Sequence, residues 1–292
     1  MSATHDHRHH LQAASDGRSD PTATLTLRKE FAQRLRGVLA RINAEIRRGI
    51  VKRDVFGLRA GTLQAARKPD PLHDLSFERR DGAVEQFRDW LETQERKGRV
   101  AVFTARENTY VRAAYERGLE QADTDLGAVG VTPPEASVAA SLNLPVHREQ
   151  LQALYTRNLT EWDGITSAMN QQVSRELADG LAQGQNPTAI AESISDRVEK
   201  VGKKRATDLA RTEIIRSHAD ATLNRYEQAG VTEVVGQAEL STAGDQRVCP
   251  ICESLDGQTF PLDEARGTIP IHTRCRCRWT PAGQQTRQTQ LS

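Results

Sequence analysis

Cys249-Pro250-Ile251-Cys252 and, nineteen residues on, His272-Thr273-Arg274-Cys275-Arg276-Cys277 decide how this chain is read. All four cysteines of the 292 residues lie in these two groups. Soft ligands paired closely in sequence and separated by a loop are what a tetrahedral zinc site needs. A C-x2-C turn aims both thiolates at one ion. On a strand, Cys275 and Cys277 face the same way, and His272 approaches from the preceding turn. Cys249, Cys252, His272, Cys275 and Cys277 are therefore five candidate ligands for four positions. The two x2 spacings favour the first four of these, with Cys277 as the alternate. A disulfide scaffold does not fit four cysteines confined to one segment, and Met1 to Asp16 is polar with no signal-peptide core. A redox C-x-x-C leaves the other three residues unexplained. Four or five soft donors leave no open position for water, so the expected zinc is structural.

Composition narrows the class. The net charge is +1, and 37% of residues are hydrophobic but only 4% aromatic, against 27% charged. That average points to an extended, helix-rich protein and away from a large compact enzyme. No run is long and apolar enough to cross a bilayer, so a soluble protein with no membrane partner is expected. The length accommodates two or three domains.

Residues 1–20 carry His5, His7, His9 and His10 among polar neighbours and read as a disordered tail. Residues 21–125 read as an N-terminal helical region, with Asp20-Pro21 as N-cap and first helical position. Leu27, Phe31, Leu35, Val38, Leu39, Ile42, Ile46 and Ile50 recur there at helical spacing. The other side of that helix is cationic, with nine Lys/Arg against two Glu from Arg28 to Arg53. A loop over residues 57–71, a helix over 83–96, a short strand over 99–104 and a helix over 108–122 follow. Gly127, Gly130, Pro133, Pro134 and Pro145 mark residues 126–147 as a linker or long loop. Residues 148–229 hold the longest helical signal, from Leu151 to Leu181, then a break at Asn186-Pro187 and two further helices closed by Gly230. The pattern turns β-like only at Val231–Val235, Ala238–Leu240 and Cys275–Trp279, within a zinc-binding module over residues 230–281. Residues 282–292 read as a flexible tail. The expected fold is mainly α: an extended helical body with a small C-terminal zinc-stapled α+β domain.

Around the cysteines a wider pattern stands out. Arg211-Thr212-Glu213 lies on a helix, Gly244-Asp245-Gln246-Arg247-Val248 runs into Cys249, and Leu255-Asp256-Gly257 follows Cys252. Together with His272-Thr273-Arg274-Cys275-Arg276-Cys277, these residues resemble the Mu F-like minor head proteins of tailed viruses. The resemblance covers about Lys204 to Pro281. It implies that the five Cys/His residues are the metal group and that Arg211, Glu213 and Asp245 fall on the family's charged positions. Family members often carry a tryptophan shortly before that aspartate, where this chain has Gln237-Ala238-Glu239-Leu240. The implied protein is a minor capsid protein of the virion. It would dock on the portal protein at the portal vertex, in contact with the major capsid protein and non-specifically with viral DNA. It would act in head morphogenesis and in DNA packaging or ejection, and be found in the host cytoplasm during assembly.

The charged residues have simpler readings as well. Arg211 and Glu213 are two apart on a helix and do not face each other, so each is expected to pair with another element, in a buried ion pair that locks the helix to the zinc unit. Asp256-Gly257 reads as a turn. Arg276 and Arg278 alternate with the cysteines and are expected to point outward. With Arg274 and with Arg34, Arg41 and Arg48 of the first helix, they are the candidates for contact with DNA or the portal. A segment of roughly fifty residues holds too little core to stand alone, and zinc contributes on the order of 10 kcal/mol to such units. The rival is a zinc-stapled nuclease of the histidine–metal type acting on viral or host DNA. It needs a catalytic histidine beyond the zinc set, and only His218 lies near. No catalytic residue is assigned, and binding without turnover is the expected mode.

Overall fold

The computed structural model of the chain describes residues 20–55, 80–102, 108–230 and 237–282. The expected tails, the loop at 57–71 and the β-like stretch Val231–Val235 lie outside these residues. Helix α1 spans Leu25–Arg47 and continues as a π-helical turn, Arg48–Lys52. Its stripe is buried from Phe31 through Leu35, Leu39, Ile42 and Ile46 to Ile50. The helix starts later than the Asp20-Pro21 pair suggests. Residues 21–24 form a turn, and Asp20 reaches over it to accept the Leu25 N–H at 2.7 Å and to pair with Arg28. One carboxylate thus caps an orphan helix donor and pairs with a buried guanidinium.

Helix α2, Arg80–Val102, corrects the expected strand at Arg99–Thr104: through Val102 the chain is helical, and residues 103–107 lie outside the described part. A short apolar run does not by itself separate strand from helix, and here it follows directly on a helix that buries Phe87 and Leu91. Asn108 caps α3, Thr109–Ala128, through the N–H groups of Tyr110 and Val111 at 3.1 and 3.3 Å. A one-turn helix α4, Val138–Ser141, precedes the long α5, Pro145–Ala182. Asn186 caps α6, Pro187–Arg197, at 3.0 Å, and a π-helical turn, Val198–Lys203, leads into α7, Lys204–Gln228.

The C-terminal part holds β1 (Gln237–Ser241), α8 (Pro250–Leu255), β2 (Thr259–Pro261), α9 (Leu262–Ala265) and β3 (Arg278–Pro281). The three strands form one antiparallel sheet in the order β2-β1-β3, with Leu240 opposite Trp279 and Ala238 opposite Phe260. The last strand begins only at Arg278, so residues 275–277 are not strand as expected. The chain is mainly helical with one small sheet near its C-terminal end.

The contacts divide into two units, and α1, α5 and α7 contribute residues to both. The first comprises Met1–Phe31, Asn108–Thr156 and Ala210–Ser292. Its core joins Ala122 and Leu126 of α3 and Ile215, Leu223 and Tyr226 of α7 to Leu240, Leu262, Ile269 and Trp279 of the sheet part. The α3–α7 crossing is close at Gly118, where an added Cβ would lie 2.4 Å from the His218 carbonyl oxygen and 2.7 Å from Ala221 Cβ. Arg225, buried on α7, grips Asp123 at 2.6 and 2.8 Å and the Ala136 carbonyl at 2.9 Å, so the segment after α3 is packed.

The second unit is Ala32–Glu107 with Arg157–Leu209. There Ser195 donates to Asn43 at 3.0 Å, and the π-helical turn after α1 packs on α6. Glu95 of α2 is buried, accepting from Asn170 of α5 at 2.9 Å. Burial, helped by Glu92 and Asp163, pushes its carboxyl up to about 8.

Two outcomes test this packing. Gly118→Ala should cost about 1–3 kcal/mol in denaturant unfolding, because backbone cannot yield to the new methyl. Glu95 has a folded pKa above its unfolded one, so ionising it penalises folding progressively as pH rises from the ordinary carboxyl range to about 8. Glu95→Gln should therefore match the parent near pH 4 and exceed it increasingly towards pH 8, with the difference constant beyond; this is read from unfolding midpoints.

Candidate metal centre

Cys249 is the N-cap of α8, with extended backbone, and Pro250 takes the first helical position. The turn that follows brings the Cys252 N–H to 3.4 Å from Cys249 Sγ, so both sulfurs face one side. Cys252 is buried and Cys249 half-buried. The second group is held by a turn of its own. The Cys275 N–H donates to the His272 carbonyl at 3.1 Å, and Arg274 between them has φ +68°.

His272 Nε2 lies 3.2 Å from Cys249 Sγ and 3.1 Å from Cys252 Sγ. Its Nδ1 lies 2.7 Å from the Thr273 carbonyl oxygen. A proton on Nδ1 donated to that carbonyl leaves the Nε2 lone pair facing the sulfurs, which is how metal-bound imidazoles are oriented. Cys249, Cys252 and His272 form one donor triad; Cys252, Cys275 and Cys277 form another, each with donor atoms within 4.8 Å of one another. Cys252 belongs to both. The fold thus gathers all five expected donors, with Cys275 and Cys277 on the buried side.

The donor chemistry fits a soft, four-coordinate ion. Hydrogen bonding from Cys277 holds the Cys275 thiol down, to about 5, and the Cys252 N–H draws the Cys249 thiol below its ordinary value. Burial pushes the Cys252 thiol up to about 12. A buried thiol of this kind keeps its proton until a cation replaces it, so metal binding here releases protons.

Asp245 ties the two groups together. It accepts the Arg247 N–H at 3.0 Å and both Arg276 nitrogens at 2.6 Å. The Arg276 guanidinium holds its carboxyl well below the usual carboxylate range. Because residues 275–277 precede the strand, Arg276 and Arg278 do not form an outward pair. Arg276 turns to Asp245, and Arg278 is buried against Asp125 of α3 at 2.7 Å. Arg274 is exposed. Arg34, Arg41 and Arg48 are exposed on α1, in the other unit.

Glu213 is buried on α7 with Arg216 of the same helix 3.8 Å away, and Arg211 is half-buried. Other pairs join the sheet part to the helices. Arg278 meets Asp125, and Arg266 donates to Asn224 and pairs with Glu227 of α7. Asn224 in turn donates to the buried Tyr115 hydroxyl at 2.7 Å, which meets His147 at 2.8 Å. Asp125, Tyr115 and His147 carried no signal in the sequence, since each sits in an ordinary amphipathic helix and has its partner far along the chain. Asp256-Gly257 is the expected turn: the carboxylate accepts the Thr242 N–H at 2.8 Å and Gly257 has φ +76°.

His218 is fully buried, and neither ring nitrogen has a hydrogen-bond partner. Burial, with Arg278, Arg28 and Arg117 adding, pushes it down to about 3. A neutral imbedded imidazole reaches neither a hydrated ion nor a substrate. The nuclease reading has no support.

Cys252 should be the least replaceable donor. Cys252→Ser should abolish stoichiometric metal in the purified chain, because it belongs to both triads, whereas Cys249→Ser and Cys277→Ser each leave one triad whole and a weaker site, read by metal content after dialysis. Chelation should open residues 237–282 to protease while α5 and α6 in the second unit stay protected. Unchanged resistance of 237–282 would rule out a structural metal.

Residues 171–280 match the model of the family described as phage Mu protein F like protein. The match starts inside α5 and includes all five donors, Arg211, Glu213 and Asp245. No match was found among curated proteins or solved structures.

Proposed function

Taking residues 171–280 as a phage Mu protein F-like region, and so the chain as phage head-related, we propose that it is a minor head protein that docks on the portal protein at the portal vertex. The observation that carries this reading is the family match, which runs from α5 to β3 without omitting any donor. In it the chain acts by binding, and contributes to head morphogenesis and to packaging or ejection of the genome.

The ion we assign is zinc, in a structural role. Three thiolates and an imidazole, or four thiolates, satisfy tetrahedral zinc and exclude a bound water. The donors also lie on the same core as Leu126, Ile215, Tyr226 and Trp279, so a closed metal site fixes the sheet part on α3 and α7. A rigid sheet-and-helix unit of this kind suits a docking protein, because ordering costs are met before the partner arrives. The major capsid protein is a second contact consistent with a place in the head.

Quantitative analysis of purified virions assembled with this chain should find it in a few copies per particle. The tagged chain should retain the portal protein at moderate salt, and chelation should weaken that retention. Absence of the chain from both virions and head precursors would overturn the reading.

A further inference from the structure

The exposed side of α1 and its π-helical turn has an unusual make-up. From Arg34 to Arg53 the chain carries seven cations and one carboxylate, Glu45, which pairs with Arg48. At about 100° per residue, Arg34, Arg41 and Arg48 fall in one row, spaced seven residues apart. Arg36 and Arg47 fall in a second row, and all five are exposed. Between the rows the exposed positions are Gln33, Gly37, Ala40 and Ala44. An added Cβ at Gly37 would meet nothing within 4 Å, so the strip is open. The result is a shallow trough of small side chains between two arginine rails, about 21 Å long from Arg34 to Arg48 at 1.5 Å per residue.

We propose that this trough binds the phosphate backbone of duplex DNA without reading its sequence. Three features select that occupant. Guanidinium groups pair with phosphate oxygens in a bidentate fork, and their spacing along a rigid helix suits a stiff polyanion. Protein interfaces set large aromatic and apolar side chains beside arginine at their centre. Among the described residues the exposed large hydrophobics are Val129, Leu144, Val146 and Ile251, none of them on α1. Single strands are held by stacking on aromatic rings, and the exposed strip has none. The only aromatic of α1 is Phe31, which is buried.

The arginines near the metal do not compete for this role, since Arg276 and Arg278 are bound to Asp245 and Asp125. The face also lies outside residues 171–280, so the inference stands apart from the portal reading.

The test is fluorescence anisotropy of the full-length chain with a labelled duplex of mixed sequence, from low to physiological salt. Five phosphate contacts give a slope of log K against log salt of about −4.5, and the double variant Arg36→Gln/Arg41→Gln should lower its magnitude by about 2. Both positions are exposed, so circular dichroism should be unchanged. The control Arg112→Gln/Arg157→Gln removes two exposed cations elsewhere and should keep the parent slope. Absence of duplex binding at low salt, or a parent slope in the rail variant, would overturn the proposal. So would equal or tighter binding of the single strand. Tighter binding of labelled polyglutamate, lost in the rail variant, would reassign the face to an acidic protein. None of these outcomes bears on whether the chain is found in virions.

Discussion

Cys252 is the side chain on which the C-terminal architecture turns. It is the member common to both donor triads, and it is buried in the core that α3 and α7 share with the sheet. A thiol in that position is raised by burial, and it becomes a useful thiolate only when a cation takes the place of its proton. In the zinc-bound state we propose, the ion, the orientation of His272 and the close approach of two distant turns would be one coupled event, a link between residues far apart in the chain.

That link is reinforced by arginines used internally. Arg276 stands between two donors and grips Asp245, which precedes the other two. Arg278 and Arg266 then fasten the sheet part to Asp125 of α3 and to Asn224 and Glu227 of α7. Arg225 does the same for the segment between α3 and α5. Burying a guanidinium is costly unless a carboxylate faces it, and the buried Arg225 and Arg278 each meet one, Asp123 and Asp125. The cysteine-bearing part is consequently no separate appendage: its core and its ion pairs run into the helices of its own unit.

The same pairing explains a division of labour among the cations. Near the cysteines they are structural, because acidic residues have been placed against them. On α1 almost no acidic residue accompanies them, and the helix presents a one-signed face with small side chains along its middle. A run of mostly one-signed charge along a rigid element raises the local potential towards anions.

Much of this was legible in advance. The helical stripes of α1, α5 and α6, the Asn186 cap, the Asp256-Gly257 turn and the five donors all follow from local spacing, because helix period, capping and a C-x2-C turn are set within a few residues. The strands proved less legible. Cys275 to Cys277 alternate as a strand would, yet the turn at Arg274, with its positive φ, and the Asp245–Arg276 pair keep them out of the sheet, so the outward arginine pair did not form. The partners of Arg278, Arg266 and Tyr115 were invisible for a different reason. They lie between about thirty and one hundred and fifty residues away in the chain. Sequence alone determined which residues could bind a metal and which faces were apolar or cationic, since those are properties of side chains and their local period. Only the tertiary structure decided which thiol is shared and which arginines are bound within the fold, because burial and pairing depend on what the rest of the chain brings alongside.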